Sequence, residues 1–290
     1  MLASDYPVRG KVRAEPERAA VPLKWSVFTL IGLLFCMSVV GVIRPQIYAR
    51  ESANWAAQAV GQDWVDLVFA VPSLVAVAVL ANRGSRAGRL LLAGGLLYCV
   101  YELAIYAFAV HFNALFLVYV AAFGVSVGSL VVALRDLFEE DVRGWFSARV
   151  PTKGPAVFLA LIGAGFALLW LGEIVPALTA GTLPASVAEA SVPTNPVHVL
   201  DLSLILPAHL VAAVMLFRRR RAGYVAAPVL LAFGVLMALS IGGMLVVMNL
   251  RGASQGFGVA LAMLGVSAAS ALFLVRMLRT LNDVRVGEWH

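Results

Sequence analysis

The 290-residue sequence is poor in charge, in cysteine and in compact catalytic motifs. Only 13% of its residues are charged while 61% are apolar, which is more apolar surface than a water-soluble domain of this length can bury. The only cysteines are Cys36 and Cys99, both in apolar runs and without CxxC spacing, which excludes a disulfide scaffold and a zinc knuckle. Without a phosphate-binding loop, nucleophile elbow or HExxH motif, hydrolytic or phosphoryl-transfer chemistry is not expected.

Apolar runs long enough to cross a membrane occur eight times. A helix of about 20 residues spans a hydrocarbon core of about 30 Å. The runs cover residues 25–43, 64–81, 90–110, 114–134, 155–175, 198–217, 224–248 and 257–277. They predict an all-α polytopic membrane helix bundle of about eight transmembrane helices, with the lipid bilayer as its main partner.

The basic residues follow the connections between these runs. If both termini are cytoplasmic, all but three of the 22 Lys and Arg residues lie inside, the exceptions being Arg44, Arg50 and Arg251. The positive-inside rule therefore predicts that orientation. The same distribution explains the net charge of +6 as a topology signal, so no nucleic-acid partner is expected.

Two parts of the chain resemble each other. At an offset of 135 residues, DWVDLVFAVPSLVAVAVLANRGSRAG lies over HVLDLSLILPAHLVAAVMLFRRRRAG. At an offset of 141, GVSVGSLVVALRDL lies over GVSAASALFLVRML. These matches predict two parallel four-helix repeats, related by an axis along the membrane normal. The predicted units are a cytoplasmic tail (1–24), a first half (25–150), and a second half with a cytoplasmic C-terminal tail (151–290).

Two outer connections are long. Residues 51–64, ESANWAAQAVGQDW, predict a short helix lying in the outer membrane interface. The other, PALTAGTLPASVAEASVPTNP, carries no basic residue and predicts an ordered or semi-ordered extracytoplasmic loop.

Ionisable residues within the spans are the candidate site. A charged carboxyl group near the bilayer midplane costs about 2.5–3.5 kcal/mol, so such a group is protonated, paired or hydrated. At about 1.5 Å per residue, Glu102 and His209 come to similar depths near the midplane, and histidine is the only cation predicted at that depth. His198 shares a helix face with His209 and has Asp201 nearby. The candidate polar or proton-relay residues are Glu102, His209, His198, Asp201 and Asp66.

Structural explanations for the same side chains stay open. Asp66 and Asp201 would stabilise the outer N-termini of their helices, where backbone N–H groups are unpaired. Asn195 and Pro196 form a typical N-cap and N1 pair. Glu173 fits a solvated interface. Tyr98, Tyr101 and Tyr106, around Glu102, fit ordinary packing. Gly124 and Gly128 form a GxxxG pattern typical of close helix contact.

The segments FNALFLVYVA and NPVHVLDLSLILPAH, with the RGSRAG turn, resemble a group of bacterial polytopic membrane proteins to which no activity is attached. The similarity covers about residues 62–248. It implies a bacterial origin, and with the charge pattern it predicts multi-pass insertion in the cytoplasmic (inner) membrane.

Three functions fit these patterns. The first is transport of an ion or small solute through a polar site in the outer half of the bundle, with the candidate residues supplying either solute contacts or a proton relay. The second is a structural, assembly or sensory partner whose polar groups only specify packing. The third is a metal or haem redox protein with histidine and carboxylate ligands. The solute, the metal or cofactor, and the oligomeric state stay open.

Overall fold

The computed structural model describes residues 17–252 and 256–282. Its first half begins with a helix at Glu17, within the predicted polar tail, whose residues 1–16 lie outside the described residues. The α-helices of this half are α1 (Glu17–Ile43), α2 (Ala53–Val65), α3 (Val71–Asn82), α4 (Arg86–Ala109) and α5 (Phe116–Glu139).

The second half repeats this order with one additional short helix outside the spans. Its α-helices are α6 (Lys153–Ala180), α7 (Ala185–Ala190), α8 (Pro196–Leu200), α9 (Leu206–Phe217), α10 (Arg221–Leu250) and α11 (Phe257–Leu278). Short 3₁₀ helices cover Pro45–Tyr48 and Val142–Trp145. Within the described residues no β-strand forms, and a single antiparallel bridge joins Phe146 to Leu281.

Eight helices in the described part of the chain are long and apolar enough to cross a membrane, which confirms the predicted all-α polytopic bundle. The most buried is α4, which packs against α3, α5 and α10. At Gly94 a β-carbon would come within 2.5 Å of Ala232 Cβ and 2.7 Å of the Val229 carbonyl oxygen on α10. The missing side chain therefore lets α4 and α10 meet closely at the centre of the bundle.

Each half contains one π-helical turn. Asp66–Ala70 joins α2 to α3, and Asp201–Ile205 joins α8 to α9. A proline follows each turn within two residues, and because proline has no N–H, it cannot complete the α-helical bonding there. The two turns start 135 residues apart, which is also the offset of the sequence match.

The segment predicted as an interfacial helix has a different position. α2, the first π-helical turn and α3 form one continuous helix, Ala53–Asn82. α2 packs against α1 and α10, and Trp55, Ala59, Val60 and Asp63 are buried. The alternation of small apolar and polar residues in α2 reflects protein contacts on one face rather than an interface between lipid and water.

The second long outer connection is largely ordered. α6 extends to Ala180, beyond the predicted end of its span, and α7 follows after a short turn. α7 lies against the start of α2, where the Ser52 hydroxyl donates to the Glu189 carbonyl oxygen (2.8 Å). Trp55 packs with Ala190 and Val192 there, so this connection covers the outer end of α2.

Candidate functional site

Three carboxylic acids from the first half form a buried group, here called the carboxyl cluster: Asp63, Asp66 and Glu102. Their exposed fractions are 0%, 0% and 5%. Asp63 ends α2 and Asp66 opens the π-helical turn, while Glu102 belongs to α4. At about 1.5 Å per residue, Glu102 lies about 24 Å along α4 from the start of the helix at Arg86.

Asp66 accepts three side-chain hydrogen bonds. The Tyr98 hydroxyl donates to Oδ1 (3.0 Å), Gln62 Nε2 donates to the same oxygen (2.9 Å), and the Ser38 hydroxyl donates to Oδ2 (3.3 Å). Tyr98 in turn contacts Ser240 on α10 at 2.7 Å. Asp66 lies in mid-helix and its oxygens contact side chains, so stabilisation of a helix N-terminus does not explain it.

Glu102 differs from the two aspartates because neither of its oxygens has a hydrogen-bond donor among the described residues. Its carboxyl group lies close to the Asp66 carboxyl in the carboxyl cluster. Two carboxylates offer only acceptors to each other, so this proximity becomes favourable when one of them carries a proton. No Lys or Arg of the described chain bridges the pair, which leaves proton sharing as the means of removing their repulsion.

Asp63 is held by two tyrosines. Tyr48 donates to Oδ2 (2.8 Å) and Tyr106 donates to Oδ1 (3.1 Å). Gly41 on α1 makes room for this carboxyl group, since a β-carbon at that position would overlap Asp63 Oδ2. Burial, and then the neighbouring Asp63, raise the pKa of Tyr48 well above its ordinary value, so Tyr48 stays a donor at neutral pH.

A cavity of about 130 Å³ lies beside the carboxyl cluster, and both halves line it. Its wall includes Gln62 and Glu102 from the first half and Met237 and Met244 from α10, together with Val197 of α8. Most of the wall is apolar or aromatic. Its polar lining residues include Gln62, Tyr98 and Tyr106, which bond to the carboxyl cluster; a few polar groups in an apolar wall are typical of small-molecule sites.

A second polar group surrounds Asp201 in the other half. Tyr101 of α4 donates to Asp201 Oδ1 (3.0 Å), and Trp170 Nε1 of α6 donates to Oδ2 (2.7 Å). The ring of His198 lies 4.8 Å from that of Trp170, between ring centroids. His198 Nε2 lies 3.5 Å from Glu173 Oε2. Glu173, predicted as a solvated residue, is thus part of a polar contact.

The sequence predicts that Asn195 caps the helix before Asp201 and that Asp201 stabilises the same helix N-terminus, and the structure decides between these two roles. Asn195 Oδ1 accepts from the Val197 N–H at 2.9 Å, and Pro196 is the first helical residue, so the predicted cap is confirmed. Asp201 itself bonds to side chains of α4 and α6 rather than to backbone N–H groups. The capping interpretation therefore holds for Asn195 and not for Asp201.

His209 is buried but separate from the cavity wall. Its Nδ1 contacts the Ile205 carbonyl oxygen at 2.7 Å, and its ring meets Phe233 edge-on with centroids 6.3 Å apart. The structure therefore does not pair it with Glu102. The intervening π-helical turn also adds about one residue and rotates the helix face by about 100°, so His198 and His209 do not share one site.

Sequence reasoning missed the tyrosines. The sequence favours packing for Tyr98, Tyr101 and Tyr106, yet each hydroxyl bonds to a different aspartate. The signal was present: three phenols within about two turns of a glutamate near the midplane supply donors where no cation is available. Gln62 and Trp170 gave no comparable signal, because only the tertiary contact identifies their partners.

Among residues 17–252 and 256–282, no three His, Cys, Asp or Glu side chains are grouped as metal ligands would be. The chain matches no protein-family model, no curated protein and no solved structure. Fold and composition therefore support one identification: this is an integral, multi-pass membrane protein with eight candidate spans.

Proposed function

We propose that this protein carries out proton-linked transport of a small solute through the cavity beside the carboxyl cluster. The observation that carries the proposal is the grouping of Asp66 and Glu102 in one cluster, two buried carboxyl groups with no cationic partner among the described residues. A charge near the membrane centre is costly, and side chains retained there commonly mark ion and proton pathways.

The two acids have different partners, and this difference suggests different roles. Asp66 has three donors, which favour its ionised form. Glu102 has none, and desolvation favours its protonated form. We assign the shared proton mainly to Glu102, with Asp66 as its acceptor. When Glu102 loses that proton, the pair gains a negative charge next to the cavity.

The position of the cavity supports transport rather than simple binding. Both halves line it, and the central helices α4 and α10 meet beside it. In transporters built from repeats, movement of one half against the other alternates access to such a site. The charge distribution and the bacterial resemblance further support a place in the bacterial cytoplasmic membrane, with the cavity in the outer half.

The shared proton is tested by infrared spectroscopy of protein purified in mild detergent. We expect a protonated-carboxyl C=O band near neutral pH in the wild type, and its loss in Glu102→Gln. The matched control is Glu173→Gln, an amide substitution outside the cavity wall, which should leave the band in place. If Glu102→Gln folds normally and keeps the band, Glu102 is not the proton carrier.

Transport is tested in proteoliposomes that contain a pH-sensitive dye. Cationic, neutral and anionic small solutes are added outside in turn, and we expect one class to change the internal pH with the wild type and not with Glu102→Gln. If no class moves protons through folded wild-type protein, the proposal is wrong and a packing or partner role becomes the better explanation.

The metal and haem alternative has its own measurement. An optical spectrum and elemental analysis of the purified protein require no substrate. A chromophore, or one metal ion per chain that is lost in His198→Ala or His209→Ala, would favour redox chemistry over transport.

A further inference from the structure

This inference rests on the proposed function and names its substrate class. We infer that the cavity binds a compact organic cation, a quaternary or protonated amine with small apolar substituents. Three properties of the cavity wall lead to it: charge, aromatic content and size.

The ionisable side chain that lines the cavity is acidic, so any charge that it contributes is negative. Among the lining residues, Glu102 is the only carboxylic acid, and none is Lys, Arg or His. The two oxygens of Glu102 are buried rather than exposed to the cavity and have no donor among the described residues, so its negative charge, once formed, lacks a partner. A cation in the cavity supplies that partner in a low-dielectric setting, where the attraction is strong. An anion would meet repulsion from the same group.

Aromatic rings form much of the rest of the wall. Trp55, Tyr98, Tyr101 and Tyr106 line it together with Met237 and Met244. Aromatic side chains attract cations through their ring quadrupoles, and they are the usual wall of sites for quaternary ammonium groups. Methionine sulfur is polarisable and adapts to alkyl groups. The wall therefore suits an alkylated ammonium better than a hydrated metal cation, which needs oxygen ligands.

The volume of the cavity limits the size of the alkyl groups that the cation can carry. The cavity holds about 130 Å³, and an engineered apolar cavity of about 150 Å³ holds one benzene molecule. A trimethylammonium head group is of this scale, whereas a dye with several fused rings is not.

Charge balance links the cation to the proton. Binding brings one positive charge to the wall, and Glu102 releases one proton to water on the open side of the cavity. The O–H bond of Glu102 breaks, its electron pair stays on the carboxylate, and the net charge of the occupied site is unchanged. This exchange avoids leaving an unpaired charge in the bundle.

The test compares choline with 3,3-dimethylbutan-1-ol, a neutral compound of nearly the same shape, by calorimetry on the purified full-length protein. We expect choline to bind at least about tenfold more tightly, because only the cation gains from Glu102 and the aromatic wall. Titrations in two buffers of different ionisation enthalpy should show about one proton released per choline bound.

Variants of Glu102 test whether choline binding and proton release depend on this residue. Glu102→Gln should weaken choline binding by about tenfold or more and abolish proton release, while Glu102→Asp keeps the charge and should keep the preference for choline. Glu173→Gln, outside the cavity wall, should bind as the wild type does. Equal affinity for choline and the neutral compound in the wild type would overturn the inference even if Glu102→Gln failed to fold.

The two proposals fail separately. If choline does not bind but a solute of another class moves protons in proteoliposomes, the substrate class is wrong and transport stands. If choline binds with proton release but no solute drives proton movement, the site assignment stands and transport is wrong.

Discussion

At the scale of single residues, three aspartates of the described bundle each accept a hydrogen bond from a tyrosine hydroxyl. Tyr106 bonds to Asp63, Tyr98 to Asp66 and Tyr101 to Asp201, and all three tyrosines come from α4. A phenol supplies a donor without adding a charge. α4 therefore holds carboxyl groups of both halves in place without a buried lysine or arginine, whose desolvation would be costly.

Tyr98→Phe should destabilise the protein more than Tyr119→Phe. The Tyr98 hydroxyl bonds to Asp66, Gln62 and Ser240. Removing the hydroxyl leaves buried polar groups without a partner, which should lower the unfolding free energy by about 1–3 kcal/mol. The Tyr119 hydroxyl has no hydrogen-bond partner among the described residues, and its removal should change stability by less than about 0.5 kcal/mol. Thermal unfolding in mild detergent measures both, and equal losses would contradict the network.

The stability contributed by Tyr48 should decline in alkaline solution. Burial and Asp63 raise the pKa of Tyr48 above its ordinary value of 10.0. The raised pKa stabilises the folded state fully below about pH 10, and this contribution is lost as pH rises, because the unfolded chain ionises first. The difference in unfolding free energy between the wild type and Tyr48→Phe should therefore shrink above pH 10. If the difference in unfolding free energy stays constant above pH 10, the folded protein does not raise the pKa of Tyr48.

At the scale of elements, three glycines show the difference between a sequence motif for helix contact and an actual helix contact. The GxxxG pair Gly124 and Gly128 has nothing within 4 Å of an added β-carbon, whereas Gly94 faces the backbone and side chains of α10. A GxxxG motif shows where two helices are able to approach each other closely. Only the packed bundle shows where it happens, because the same small residue can face a helix or the lipid.

Gly94→Ala should destabilise the bundle and Gly124→Ala should not. The new methyl group on α4 would lie 2.5 Å from Ala232 Cβ, and relieving that overlap costs about 1–3 kcal/mol. At Gly124 the space is open, and alanine is favoured over glycine in a helix by about 0.5–1 kcal/mol. Unfolding temperatures in detergent give the comparison. If Gly94→Ala is as stable as Gly124→Ala, α4 and α10 do not meet closely there.

The π-helical turns show a further limit of sequence periodicity. A fixed advance of 100° per residue puts His198 and His209 on one face, but an inserted residue in the Asp201–Ile205 turn separates them. The proline that follows the turn is visible in the sequence. Whether the helix responds with a kink or a wider turn depends on its neighbours, here α6 and α10.

At the scale of the whole molecule, the two π-helical turns recur at the offset of the sequence match, while the side chains beside the cavity differ between the two parts of the chain. At the offset of 135 residues, Asp66 corresponds to Asp201, while Glu102 corresponds to Met237. Both Glu102 and Met237 line the cavity. If the halves arose by duplication, only the first keeps an acid in that position, so the molecule has one carboxyl pair beside its cavity rather than two.

The predicted orientation can be tested by cysteine labelling. In a background with Cys36 and Cys99 replaced by alanine, Arg83→Cys and Arg218→Cys should react only with a reagent that reaches the cytoplasm, because both turns carry the basic residues. Thr182→Cys should react from outside. All three positions are exposed in the structure. Labelling of either arginine position from outside would reverse the topology.

The sequence by itself determined the class of this molecule. Hydropathy specifies eight spans because an apolar segment inside the bilayer must bond its own backbone groups, as a helix does. The basic turns predict the orientation because Lys and Arg are retained on the cytoplasmic side. Of the candidate residues, Glu102 and Asp66 were identifiable because an acid in an apolar helix is costly wherever it points.

Only the tertiary structure decided which acids meet. Asp66 and Glu102 belong to separate helices whose rotation and depth follow from the packing of α4 against α3 and α10, including the close approach at Gly94. Pairing of Glu102 with His209 was equally compatible with depth alone. The contacts of Tyr98, Gln62 and Trp170 also depend on side chains distant in sequence, since hydrogen bonds act over about 3 Å, a distance that composition and periodicity along one helix do not determine.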